Sequence, residues 1–163
     1  MNFNVFLVTI ILLTVTHVSA KNFIQTNSEI QYGIVNYENL YRLILLNEIR
    51  FPEVVFAQAI LESSNFKSDL FTLEKNLFGM KQPVYRKTTS KGKSRSGYAS
   101  YYNWIYSVQD YQIWQTNNMS EKIKTQDEYF RFLHKNYAED KNYVKKLKTI
   151  VTQNKEFFSK FNA

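Results

Sequence analysis

Hydrophobic and polar positions alternate along this chain in patterns that are mostly helical. Leu40, Leu43 and Ile44 recur at helical spacing, and Leu46 extends the stripe before the polar Asn47. They predict a helix over about 37–48, with Asn36 as its cap. Pro52 suits the first turn of a second helix. From Val54 to Leu61 that helix is apolar on most faces, so it is expected to be the buried central one, ending near Ser63. Residues 65–76 read as short turns. Asn103 can cap a helix reaching about Gln115, and Thr125-Gln126-Asp127-Glu128 is a capping box opening a helix to about Lys135. Asp140 can cap a further helix over 141–151, with Val144, Leu147, Ile150 and Val151 as its apolar stripe; a last short helix is expected after it.

One stretch breaks the helical pattern. From Lys81 to Gly97 the chain is basic, rich in Thr and Ser, and interrupted by Gly92 and Gly97. Residues 85–89 and 96–101 flank Ser90-Lys91-Gly92-Lys93, which predicts a small β-hairpin with a basic tip; a disordered basic loop is the alternative. The expected fold class is therefore α+β, mainly helical, with a small β-hairpin lobe inserted after the buried helix.

The first residues carry a different pattern. A short apolar run, Phe6 to Leu13, ends in Val18-Ser19-Ala20 before Lys21. It reads as a secretory signal peptide over 1–20, too short for a comfortable membrane span. Its n-region has no Lys or Arg, so an uncleaved anchor is the competing reading. Residues 21–33 are polar and turn-like, an expected flexible entry, and 34–163 form one domain. The expected location is secreted or periplasmic, with no stable membrane span after cleavage.

Composition narrows the chemistry. The chain has no Cys and only two His, His17 and His134. Thiol catalysis and Cys-based metal sites are excluded, and neither a cofactor nor a metal is expected. The formal net charge is +7, and the first twenty residues contribute nothing to it. A basic domain is attracted to polyanions such as nucleic acid, anionic membrane or anionic wall polymer.

One carboxylate stands out. Glu62 lies at the end of the apolar helix. Desolvation there and the negative end of the helix dipole both favour its protonated form. A carboxylic acid that keeps its proton near neutrality is what glycoside hydrolysis needs.

Four blocks in order then carry a resemblance. Ala57-Gln58-Ala59-Ile60-Leu61-Glu62-Ser63 is followed by Ser68 and by Asn76-Leu77-Phe78-Gly79-Met80-Lys81. Next come Tyr98-Ala99-Ser100-Tyr101 with Ser107-Val108-Gln109-Asp110-Tyr111, and then the run from Asn136 to Leu147. Over about 32–151 the chain resembles the glucosaminidase-type peptidoglycan hydrolases, glycoside hydrolase family seventy-three. The resemblance implies a lysozyme-like fold and cleavage of peptidoglycan glycan strands, usually at the β-1,4 link after N-acetylglucosamine, by a monomer without nucleic-acid partners. It implies Glu62 as general acid and Tyr137 as an assisting residue that holds substrate or a water. Gln58, Asn76, Phe78, Gly79, Thr88, Thr89 and Tyr101 are the expected substrate-binding residues; Asn76, Phe78 and Gly79 are expected to shape the loop under the cleft, Gly79 through a backbone turn or close approach, and Phe78 reads equally as core or as a sugar platform.

Two departures from the family pattern matter. Ser63-Ser64-Asn65-Phe66 replaces a Gly-rich stretch after the acid, and Lys81 to Tyr102 contains no Asp or Glu where a second carboxylate is often found. Thr88-Thr89-Ser90 stands about there. Three routes stay open: attack by the substrate's own N-acetyl group; a carboxylate from elsewhere, such as Asp69, Glu74 or Asp140; or Glu62 alone, as in a lytic transglycosylase. The rival functions are a muramidase or transglycosylase on the same fold, a catalytically weak peptidoglycan-binding module, and a cationic nucleic-acid or membrane binder.

Overall fold

The computed structural model describes residues 33–137 and 139–161. The chain divides into two compact units, Met1–Ile34 and Val35–Ala163. The expected signal peptide and all but the last residue of the expected entry segment lie outside the described residues. Among the described residues no helix is long and apolar enough to cross a membrane.

The second unit is built from seven helices and one two-stranded sheet among its described residues: α1 (Tyr37–Leu46), α2 (Pro52–Glu62), α3 (Asp69–Glu74), β1 (Gly92–Lys93), β2 (Ala99–Ser100), α4 (Trp104–Asn118), α5 (Gln126–Asn136), α6 (Tyr143–Gln153) and α7 (Lys155–Ser159). The helix starts follow local chemistry. Asn36 accepts from the Asn39 amide at 2.8 Å. Asn103 accepts from the amides of Ile105 and Tyr106. Thr125 and Glu128 form the full capping box, each side chain accepting from the other's amide. Pro52 occupies the first turn of α2, where its missing N–H leaves no donor unpaired.

Helix α2 is the core. Val54, Val55, Phe56, Ala57, Gln58 and Ala59 are all fully buried. Such side chains contribute about 1.5–3 kcal/mol apiece when Val- or Phe-sized. The helix packs most extensively against α6 and next against α1. Phe56, Tyr41, Phe157 and Phe158 interlock at the α1–α2–α7 junction with edge-on and tilted rings.

Three local expectations are corrected. Residues 69–74 form a short helix, capped by Ser68, rather than turns only. Helix α6 begins two residues later than expected, at Tyr143, because Asp140 spends its carboxylate on the Asn142 amide and on Lys146. The hairpin turn also lies elsewhere. Gly92 and Lys93 pair with Ser100 and Ala99, so the expected tip is strand. The turn closes at 94–97, where Gly97 takes φ +84 and its amide bonds to the Ser94 carbonyl.

Candidate active site

Helix α2 ends at Glu62, and the backbone beyond it doubles back sharply. Ser63 bonds through its hydroxyl to the Ala59 carbonyl and the Phe66 amide. Ser64, Asn65 and Phe66 then occupy the left-handed region in succession, with φ of 49, 55 and 66. These are the positions at which the Gly-rich stretch was missed. Here the turn is made by residues that carry side chains, at a cost in strain.

The Glu62 side chain is half-buried. Burial pushes its carboxyl above the ordinary value of 4.5, and a hydrogen bond from the Tyr143 hydroxyl partly opposes that shift. Gly79 covers one side. Its φ is +64, and a Cβ there would stand 3.1 Å from Glu62 Oε2. Position 79 therefore needs glycine for both the turn and the close approach.

Tyr137 follows α5. Its hydroxyl donates to the Phe78 carbonyl at 2.5 Å, and burial raises its pKa, with the nearby Glu62 charge adding to the effect. Tyr137 stacks on Tyr143 with ring centroids 6.0 Å apart and meets Trp114 edge-on at 5.1 Å. Gly79, Tyr137 and Trp114, with Lys81, Gln82 and Arg86, line a cleft of about 300 Å³. It combines aromatic walls with cationic and amide groups.

The other expected substrate-binding residues lie outside the cleft lining. Asn76 is fully buried and makes four bonds, three to its own loop and one to β2: it accepts from the amides of Phe78 and Met80 and donates to the carbonyls of Met80 and Ala99. It is a clamp that shapes the loop carrying Gly79. Phe78 is buried against Tyr111, at 4.3 Å between centroids, so its ring is core and its carbonyl is the useful part. Tyr101 is buried and donates to Asp110 at 2.7 Å. Gln58 is buried with both amide atoms engaged by tyrosine hydroxyls. Buried side chains with satisfied polar atoms have no free surface for a sugar, so these four stand behind the cleft. Thr88 accepts from the Ser90 amide and Thr89 donates to the Tyr106 carbonyl; neither lines the cleft.

The residues that line this cleft include no carboxylate; Glu62 adjoins it through Gly79. Asp140 is exposed and paired with Lys146, and Asp69 and Glu74 belong to α3. Asp110 is fully buried, held by both Arg86 nitrogens at 2.6 and 3.1 Å. That pair ties the segment after Pro83 to α4. The residues missed by sequence reasoning are Tyr143, Trp114 and Arg86. A polar-tipped aromatic at the leading position of the α6 stripe was the available signal for Tyr143.

The family model for glucosaminidase, described as mannosyl-glycoprotein endo-beta-N-acetylglucosaminidase, matches residues 39–156. The chain belongs to the glucosaminidase family. Solved structures agree on the fold. The catalytic domain of the autolysin Auto from Listeria monocytogenes is 21% identical, with a TM-score of 0.54 over 79% of this chain and 92% of that one. An N-acetylmuramoyl-L-alanine amidase from Staphylococcus aureus is 25% identical, with a TM-score of 0.55 over 78% of this chain but only 40% of that protein. A comparison with curated protein sequences returns no match. This glucosaminidase-family chain thus has the expected α+β, mainly helical, lysozyme-like fold with a small β-lobe.

Proposed function

We propose that the protein is an exported peptidoglycan hydrolase that cuts β-1,4 glycosidic bonds of the glycan strand, acting as an endo-β-N-acetylglucosaminidase with Glu62 as general acid. The observation that carries this reading is the half-buried Glu62 carboxyl at the end of a buried helix, beside Gly79 and Tyr137 of an aromatic-walled cleft. Its raised pKa suits proton donation to a leaving glycosidic oxygen. The likeness to an autolysin catalytic domain supports a wall substrate. The amidase activity in the name of the staphylococcal protein is not carried over, because this chain spans 40% of it. In the same reading, 1–20 is the export leader, 21–33 an entry segment and 34–163 the hydrolase domain.

The stretch from Lys81 to Tyr102 carries no Asp or Glu, which favours substrate assistance. Glu62 gives its proton to the leaving oxygen while the carbonyl oxygen of the substrate's N-acetyl group closes on the anomeric carbon. Water then adds to the anomeric carbon, opening the resulting ring, and gives a proton back to the Glu62 carboxylate. Tyr137, whose single proton is committed to the Phe78 carbonyl, serves as an acceptor that orients a hydroxyl or a water.

The test is Glu62→Gln on purified peptidoglycan, with mass spectrometry of the fragments. Turnover should fall roughly 10²–10⁴-fold, the usual contribution of a general acid. Wild-type product should carry reducing-end N-acetylglucosamine. Reducing-end N-acetylmuramic acid would mean a muramidase instead, and an anhydro end a transglycosylase. Unchanged turnover in the variant would end the assignment of Glu62.

A further inference from the structure

The cleft beside Glu62 has two walls of different chemistry. Trp114, Asn136 and Tyr137 form the helical wall. There the Tyr137 hydroxyl donates to the Phe78 carbonyl and the Asn136 NH₂ group to the Phe132 carbonyl. Both side chains keep acceptor oxygens, which suit sugar hydroxyls. Residues 79–83 and Arg86 form the other wall. Its polar side chains offer donors. The Ser90 hydroxyl occupies Gln82 Oε1 at 2.6 Å, which leaves the Gln82 NH₂ group. Lys81 and Arg86 supply cationic N–H groups and no acceptor.

The two cations are not equivalent. Arg86 is bound through both terminal nitrogens to Asp110, so its charge is countered inside the protein. Lys81 has no ion pair among the described residues, and residues 81–102 contain no Asp or Glu to make one. Its seat is aromatic. Lys81 stands opposite Tyr98 in an antiparallel bridge. The bridge is fixed on either side by bonds from the Ala99 amide to the Met80 carbonyl and from the Gln82 amide to the Gly97 carbonyl. Residues opposed in this way carry their side chains on one face of the pair. The Lys81 ammonium accordingly lies 3.4 Å from the centre of the Tyr98 ring. A ring face attracts an ammonium without cancelling its charge. The cleft thus holds a placed cation, two residues on from the glycine that covers Glu62, with N–H donors left for a ligand.

We propose that Lys81 is the specificity-determining residue of a carboxylate subsite in this cleft, which selects glycan carrying the acid of a muramyl residue over uncharged N-acetylglucosamine polymer. The inference rests on the glycan-strand reading of the site. Two carboxylates share the chemistry: that of the lactyl group, where no peptide is attached, and those of the peptide stem, where one is. In either case the neutral acceptors of the helical wall take the sugar hydroxyls, and Lys81 takes the charge.

The experiment measures binding by titration calorimetry to the full chain carrying Glu62→Gln, so that no ligand is consumed. Three soluble tetrasaccharides are compared: alternating N-acetylglucosamine and N-acetylmuramic acid with free lactyl carboxylates, the same glycan bearing peptide stems, and N-acetylglucosamine alone. An acidic ligand should bind more tightly than the neutral one, and the arm that shows the advantage names the source of the carboxylate. Added salt should shrink that advantage. Lys81→Met keeps the aliphatic stem and should weaken acidic binding roughly two- to fivefold, the reach of an exposed ion pair, with neutral binding unchanged. Lys81→Glu should weaken it further. Lys93→Met removes an exposed cation outside the cleft lining and should leave the preference intact. Equal affinity for acidic and neutral ligands overturns the proposal. So does an equal loss on both in Lys81→Met, or an equal loss of preference in Lys93→Met. Cleavage of peptidoglycan by the wild type is read separately. A wild type that cuts no glycan while Lys81 selects the acidic ligands would defeat the function reading alone; one that cuts without that selection would defeat the subsite alone.

Discussion

Replacing Gly79 by alanine probes the contact that seats the acid. The Gly79 backbone has φ +64, and a methyl built there would lie 3.1 Å from Glu62 Oε2 and 3.7 Å from its Cδ. Two penalties follow, and they can be separated. The left-handed conformation costs an L-residue about 1–2 kcal/mol, or roughly 3–10 °C in Tm for a domain of this size. The contact is closer than nearly all real Cβ contacts, so the carboxyl must retreat by a few tenths of an ångström. A misplacement of about 1 Å can cost about 10²-fold in rate, so this smaller one should cost roughly three- to tenfold. Gly97→Ala supplies the control. Its φ is +84, but nothing stands within 4 Å of the added Cβ. Both variants should melt earlier by circular dichroism. Only Gly79→Ala should lose turnover when reducing ends released from purified peptidoglycan are counted at a temperature where both are folded. Equal turnover in the two variants would refute the role given to the Gly79–Glu62 contact.

Glu62 also makes stability depend on pH. Its folded pKa lies above 4.5, so the native state holds that proton more tightly than the unfolded chain. The associated stability is fully present below about 4.5 and is lost as pH rises through the folded value. Glu62→Gln, which does not ionise, should therefore gain on the wild type in denaturant unfolding between about pH 4 and about pH 8; a difference that stays flat would remove burial as the cause. Ser64 is exposed and strained at φ 49. Ser64→Gly should stabilise the fold by about 0.5–1 kcal/mol with turnover unchanged, and a lower Tm would show that the turn is not strained.

Much of the helical frame was legible before any coordinates. Asn36, Asn103 and the Thr125–Glu128 box cap the helices expected of them, because capping is settled within four residues. The same locality made α2 readable as buried, since an apolar run has few alternatives to the core. The hairpin turn was misplaced because both Gly92 and Gly97 permit it. The choice fell to partners distant in sequence: the Met80 carbonyl takes the Ala99 amide, and Lys81 pairs with Tyr98.

Glu62 could be nominated from its sequence setting alone, because desolvation and the helix end act on it locally. Gly79 could be marked as a turn or close approach, but not what approached it. The residues around the acid were harder. Gln58, Asn76 and Tyr101 read as polar groups available to a sugar, and the fold buries all three and satisfies them internally. Tyr143 read as part of a helix, and the fold buries its hydroxyl against Gln58 of the helix that ends at Glu62. Sequence by itself determined most of the helices, the buried helix and a carboxylate at its end whose burial favours the proton, since each depends on neighbours within a few residues. Only the tertiary structure decided what surrounds the acid. Whether a polar side chain meets substrate or another side chain depends on which helices pack together, and α2 meets α6 from more than eighty positions away, between Gln58 and Tyr143.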